Sequence, residues 1–324
     1  MYREISIRAF EAYGLQIGQA EDPAAGTGCT VILKPEGMAA GLDIRGGGPA
    51  SRESQLLNPL SAAEQIHAVV LAGGSAFGLD AAGGVMQYLE ARGCGFDVGV
   101  TKVPLVCQSD LFDLTVGDPF VRPGREMALQ ACVNAESFGY RDGNYGAGCG
   151  ASVGKLLGMD FSMKSGIGSY AVALGELYVG AVVAVNALGD VYDWKTGEKV
   201  AGLLADDKRA VRDSEALLFQ TIDVTENRFT GNTTLGVVIT NAAFRKPQLC
   251  KIAGMAQDGC ARSIRPVHTS ADGDSIYALS VGTLRADQDL VGTLAARTVS
   301  EAILRAVRAA APAFGLPACS AQGN

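Results

Sequence analysis

In 230-TGNTTLGVV-238 a Gly-Asn pair runs into two threonines and then into an apolar, β-branched stretch. Gly231 and Asn232 both tolerate unusual backbone angles, so the pair suits a strained turn. The next residues, 234-TLGVVIT-240, are apolar on both faces, as central strands of a covered sheet are. The segment therefore predicts a turn that enters a buried strand at Thr233. Similar short runs at 29-CTVIL-33, 66-IHAVVLA-72, 179-VGAVVAVN-186 and 275-SIYALSVG-282 predict further strands. Between and after them, residues 79–93, 124–139, 247–264 and 287–310 carry apolar side chains at three- and four-residue spacing and predict helices. The class that results is α/β, with layered helices and sheets. Residues 205–232 are more polar than their flanks and predict a linker or exposed loop, and 312-PAFGLPACSAQGN-324 predicts a frayed tail.

The same turn raises a chemical possibility. An amide hydrolase without a histidine base can use the first residue of its own chain as nucleophile, the free α-amine serving as base for the adjacent hydroxyl. An α-amine titrates at about 7.7 to 8.0 in reference compounds, where a neutral-pH base belongs. Thr233 could take that role only after the Asn232–Thr233 peptide bond is broken. Taken alone, the same residues are more simply read as a plain turn leading into a threonine-rich strand.

Composition narrows the alternatives. With 324 residues, of which 48% are hydrophobic, the chain can bury a large core. A net charge of -7 argues against a nucleic-acid partner, because such affinity comes from Lys and Arg neutralising phosphates. The apolar runs are too short to span a bilayer and the charged start MYREISIR lacks a signal-peptide core, so no membrane partner and a cytoplasmic location are expected. Eight cysteines without a C-x-x-C pair, together with only His67 and His268, argue for reduced thiols and against a zinc site. No metal and no organic cofactor are expected.

Two motifs fail on inspection. In 146-GAGCGASVGK-155, Cys149 and Leu156 stand where a phosphate loop needs Gly and Ser/Thr, and no strand signal precedes it for a dinucleotide site. In 73-GGSAFG-78, Phe77 stands where the nucleophile elbow needs its last glycine, which leaves Ser75 as a turn or helix-start residue.

The blocks 45-RGGGPASRESQLLNP-59, 68-AVVLAGGSAFGLDAAGGVMQYLE-90, 111-LFDLTVGD-118, 146-GAGCGASVGK-155, 183-VAVNALGDV-191, 231-GNTTLGVVITNA-242 and 266-PVHTSADGDSIYALSVG-282 follow one another in a recognisable order. The sequence resembles, over roughly residues 28 to 310, the P1-type peptidases: the L-aminopeptidase/D-esterase group that also holds the nylon-oligomer (6-aminohexanoate oligomer) hydrolases. The resemblance implies one N-terminal-nucleophile-hydrolase-like layered sandwich over residues 1–324, self-cleaved into a large chain 1–232 and a small chain 233–324. It places the nucleophile on Thr233 after the scissile Asn232, a hydrogen-bonded relay on Asp272 and Asp274, a lysine on Lys155 and a strand-end asparagine on Asn186. These residue types suit such roles, since Lys155 can stabilise negative charge or help deprotonate Thr233, Asn186 can donate to an oxyanion, and the aspartates can orient an amine.

Threonine at 233 leans toward the nylon-oligomer hydrolases, since many relatives carry serine. Those hydrolases have a tyrosine where this sequence has Phe112, so a binding hydroxyl would have to come from elsewhere, with Tyr145 as the candidate. The blocks around Arg45 and Gly73–Gly78 look more like the aminopeptidases. The implied function is amide hydrolysis through a Thr233 acyl-enzyme, on peptide-like substrates or 6-aminohexanoate oligomers, the alternative being an aminopeptidase/D-esterase acting on short peptides and amino-acid amides. An acyltransferase like the ornithine acetyltransferases, or a binding module on the same scaffold, are the rivals from other classes. The resemblance further implies a homo-oligomer of processed heterodimers, for which the Ala-rich stretch 290–310 offers packing surface.

Overall fold

The computed structural model describes residues 2–208, 210–220 and 231–319. Two sheets lie at its centre. One holds β1 (Tyr2–Ile5), β7 (Ile167–Leu174), β8 (Leu177–Asn186), β9 (Thr233–Ala242) and β10 (Ser275–Leu284), and is completed by the second half of β3 (Thr27–Ile44). The other holds β2 (Gln16–Asp22), the first half of β3, β5 (Ile66–Ala72), β6 (Val106–Asp110) and β4 (Ala50–Arg52). All neighbours are antiparallel except the pairs β9·β10 and β5·β6. Because β3 runs for 18 residues through both sheets, it fixes one against the other.

Alternation along the strands sorts the apolar side chains into three layers, as a period of two demands. Val179, Val183, Val238 and Ile276 point outward against α3 (Lys246–Ser263) and α4 (Gln288–Ala309), meeting Leu249, Ile252, Val299 and Ile303. Val182, Leu235, Val237 and Tyr277 point the other way and meet Ile32, Val69 and Leu71 of the second sheet. Across that middle layer the Tyr277 hydroxyl and Ser109 Oγ are hydrogen-bonded at 2.7 Å. The far face of the second sheet carries Val31 and Val70 against Val85, Leu89, Ala128 and Cys132 of α1 (Ala81–Glu90) and α2 (Arg125–Ala135). The result is a four-layer sandwich: helices, sheet, sheet, helices. Each fully buried Val, Leu or Ile contributes roughly 1.5–3 kcal/mol, so three such layers are the main term holding it.

The five expected strands and four expected helices are present, with ends shifted by a few residues or, for β3, far beyond the expected stretch. Strands β2, β6 and β7 were not legible because Gly, Ser, Gln and Asp interrupt their apolar runs. The expected frayed tail is corrected over residues 312–319: Leu316 and Ala318 are buried and the Pro317 carbonyl accepts the Lys164 N–H at 2.8 Å. Residues 320–324 lie outside the described residues. The expected linker is partly structured, with a short helix at Ser214–Leu218, while 221–230 and residue 209 also lie outside. The apolar face of α4 does not offer the packing surface expected of it, because Val291, Leu294, Val299, Ile303 and Val307 are consumed inside the chain. No described helix is long and apolar enough to cross a membrane.

Candidate active site

Strand register brings the first candidate pair together. Thr233 opens β9 opposite Asn186, the last residue of β8. Both side chains share the face of Leu235 and Ala184, so they point into the gap between the sheets, and both residues are buried. Thr234, one residue on, turns to the helix side.

The peptide before Thr233 is gripped on several sides. Gly273 donates its N–H to the Asn232 carbonyl oxygen at 2.8 Å, and the Thr233 hydroxyl donates to the same oxygen. Asn232 donates its own N–H to the Ala271 carbonyl at 3.3 Å, which makes residues 232 and 272 a parallel bridge. One residue earlier, the Gly231 carbonyl is met by Lys155 Nζ and by Asn186 Nδ2, each at 3.4 Å. Gly231 itself has φ +57°, and a Cβ there would come within 2.1 Å of the Phe112 ring, so glycine is required twice over. Gly273 is equally constrained, since a Cβ on it would lie 2.7 Å from Thr233 Oγ1.

Lys155 reaches this cluster from the end of the glycine-rich block, which turns through Gly146–Gly148 before delivering it. Its ammonium donates to Asn186 Oδ1 at 2.8 Å and to the Asn186 carbonyl at 3.1 Å. Burial holds the Lys155 amine down at about 7, against the opposing pull of Asp272, Asp113 and Asp274. Asn186 Nδ2 also donates to the Phe112 carbonyl at 2.9 Å, while its Oδ1 accepts the Ser152 N–H at 3.1 Å, so the side chain cannot flip without breaking the set.

The two aspartates occupy different niches. Asp272 Oδ2 accepts the Thr269 N–H and hydroxyl, at 2.7 and 2.6 Å. Burial and the neighbouring Asp274 charge push its carboxyl up to about 6, although the Thr269 bonds and Lys155 pull it down. Asp274 accepts the Thr234 N–H on Oδ1 at 2.6 Å, and on Oδ2 it meets His268, through the backbone N–H at 3.2 Å and ring Nδ1 at 2.8 Å. The structure thus couples Asp274 to the residue after Thr233, and places between the aspartates the Gly273 N–H that reaches the Asn232 carbonyl. Tyr145 sits apart, its ring beneath the Arg141 guanidinium at 3.9 Å. Phe112 is at the cluster through its carbonyl and through its ring under Gly231.

Three participants escaped the sequence. The Gly273 N–H is a backbone group and leaves no residue-type signal beyond the flanking D-G-D. Thr269 and His268 precede that turn by three and four residues, and a search for a serine triad or a zinc site passes over a histidine bound to a carboxylate in this setting.

A buried threonine at a strand mouth, a carbonyl held by a backbone N–H, and a lysine under the influence of two nearby carboxylates thus converge on the turn at 231–233. The fold has a solved counterpart: the L-aminopeptidase D-Ala-esterase/amidase from Ochrobactrum anthropi, described as a variant of the N-terminal-nucleophile hydrolase fold, superposes with TM-score 0.67 at 18% identity, over 92% of this chain and 84% of that one. The profile of peptidase family S58 matches residues 12–318, and the chain belongs to that family. An uncharacterized aminopeptidase of Mycobacterium leprae is 37% identical, over 94% of this chain and 91% of its own. The 6-aminohexanoate-oligomer endohydrolase of Agromyces sp. (strain KY5R) is 29% identical, over 92% of this chain and 85% of its own. The chain is therefore a peptidase-type amide hydrolase.

Proposed function

We propose that the chain cuts its own Asn232–Thr233 bond and then hydrolyses amides through an ester on Thr233. The observation that carries this reading is the pair of donors on the Asn232 carbonyl oxygen, the Gly273 N–H at 2.8 Å and the Thr233 hydroxyl itself. A hydroxyl beside a carbonyl whose oxygen is already held by a fixed dipole is set for addition. The Thr233 oxygen bonds to the Asn232 carbonyl carbon, the C–N bond breaks, and the hydroxyl proton ends on the Thr233 nitrogen. Water then opens the ester, leaving an Asn232 carboxylate and a free Thr233 α-amine. Until that happens the nitrogen is an amide and cannot act as a base, so the uncut chain lacks its base.

Turnover repeats the chemistry on an external amide. The acyl carbonyl takes the place of Asn232, the Gly273 N–H receives the oxyanion, and the α-amine carries the proton from the Thr233 hydroxyl to the leaving amine. Lys155, Asn186 and the Phe112 ring, which in the uncut chain meet Gly231, would then meet the acyl side of the substrate. Short peptide-like amides suit this arrangement. The identities of 37% and 29% favour aminopeptidase-like substrates over 6-aminohexanoate oligomers.

The test is N-terminal sequencing of the small fragment, which should begin Thr-Thr-Leu-Gly, with Thr233→Ala leaving one intact and inactive chain. A different start, or full turnover by uncut wild type, overturns the reading. A panel of amino-acid amides, peptides and 6-aminohexanoate oligomers, run with and without an amine acceptor, assigns the substrate and separates hydrolysis from acyl transfer.

A further inference from the structure

We propose that His268 is a positioning residue: by donating its backbone N–H and its ring Nδ1–H to one oxygen of Asp274, it aims the other oxygen at the Thr234 N–H and so fixes the peptide that carries Thr233. The inference rests on the reading of Thr233 as nucleophile. Its links are short: 2.8 Å from His268 Nδ1 to Asp274 Oδ2, and 2.6 Å from Asp274 Oδ1 to the Thr234 nitrogen. Thr234 N belongs to the peptide that contains the Thr233 carbonyl, so anchoring it limits rotation of Thr233 about its own backbone and holds Oγ1 at the mouth of β9.

Two features mark the arrangement as built for this purpose. His268 has φ +58°, in the left-handed region that non-glycine residues occupy uncommonly, Asn, Asp and His more than others, and in that conformation its backbone N–H and its ring meet the same carboxylate oxygen. Its other ring nitrogen, Nε2, is buried with no hydrogen-bond partner among the described residues, so the polar engagement of the ring is its bond to Asp274. A carboxylate only accepts, which assigns the ring proton to Nδ1.

Three substitutions separate positioning from mere packing. His268→Asn keeps a donor near the Nδ1 place and tolerates the left-handed backbone, whereas His268→Gly suits the backbone but donates nothing from a side chain. His268→Asp matches Asn in shape but sets an acceptor against Asp274. With the protein purified after expression and assayed on an amino-acid amide that wild type turns over, His268→Gly and His268→Asp should lower kcat by about 10- to 100-fold, the effect of losing one hydrogen bond to a charged group, with KM within about twofold. His268→Asn should stay within about threefold of wild type. Equal kcat in wild type and His268→Gly, or Asn as slow as Asp, overturns the inference and leaves Thr233 standing. A wild-type chain that never cuts before Thr233 overturns both.

Discussion

The Gly273 N–H points at the Asn232 carbonyl oxygen from 2.8 Å, and the Gly273 α-carbon faces Thr233 Oγ1 so closely that a Cβ would stand 2.7 Å from it. One residue therefore both holds the Asn232 carbonyl and limits where the Thr233 hydroxyl can sit. Gly273→Ala keeps the donor but pushes the oxygen away from its line of attack. Self-cleavage, followed as the appearance of the 233–324 fragment on a denaturing gel, should slow by roughly tenfold or more, since misplacement by about 1 Å costs on the order of a hundredfold. An unchanged cleavage rate would show that Oγ1 works from another position.

Gly231 is constrained from the other side. Gly231→Ala forces a methyl group into the Phe112 ring and strains a backbone at φ +57°. Cleavage in this variant should be strongly retarded. Adding Phe112→Ala removes the collision but not the strain of about 1–2 kcal/mol, so the double variant should recover part of the rate and not all of it. Full recovery would mean that the left-handed turn has no part in the reaction; none at all would mean that the ring was not the obstacle.

How far these constraints can be read from sequence depends on which atoms carry them. Thr233, Lys155, Asn186, Asp272 and Asp274 are legible through motif blocks, and strand register and the turn at 269–274 bring their elements to one place. The β9 strand itself is legible because Leu235, Val237 and Val238 follow a Gly-Asn turn. The hidden part is carried by the backbone or by context: the Gly273 N–H, the left-handed His268, and the Phe112 ring as the reason for glycine at 231. Strand β6 is hidden for a related reason, since Gln108, Ser109 and Asp110 are polar yet buried, and each is bonded to a partner distant in sequence or to one another. Periodicity cannot report a partner that lies in another sheet.

Thr234 offers a control on the same strand. Its Oγ1 is buried without a hydrogen-bond partner among the described residues, and its link to Asp274 runs through the backbone N–H. Thr234→Val replaces the hydroxyl with a methyl group of similar size and leaves that link in place. The variant should gain about 1 kcal/mol of stability, the cost of an unsatisfied buried hydroxyl, and should process within about twofold of wild type. Thermal or denaturant unfolding measures the first and fragment appearance the second. Loss of processing would place the chemistry on Thr234 or on its side chain's surroundings.

Lys155 predicts a pH signature that does not depend on catalysis. Burial lowers its amine from the ordinary 10.5 to about 7 in the folded chain, while in the unfolded chain it returns to the ordinary value. Below pH 7 both states hold the proton and the folded state bears the full cost of a buried charge. Between about pH 7 and 10 the folded state has lost the proton that the unfolded state still keeps, so stability rises with pH across that window. Lys155→Met has no such proton. Measured in a Thr233→Ala background, where neither protein is cut, the Tm of the Met variant minus that of its Lys155 parent should be largest below pH 7 and fall by roughly 5 °C or more by pH 10. Lys164, whose amine burial also lowers to about 7, contributes equally to both proteins and cancels. A difference that stays flat to pH 10 would mean that the Lys155 amine keeps its ordinary affinity for the proton inside the cluster, and would remove it as a group able to exchange protons with Thr233 near neutrality.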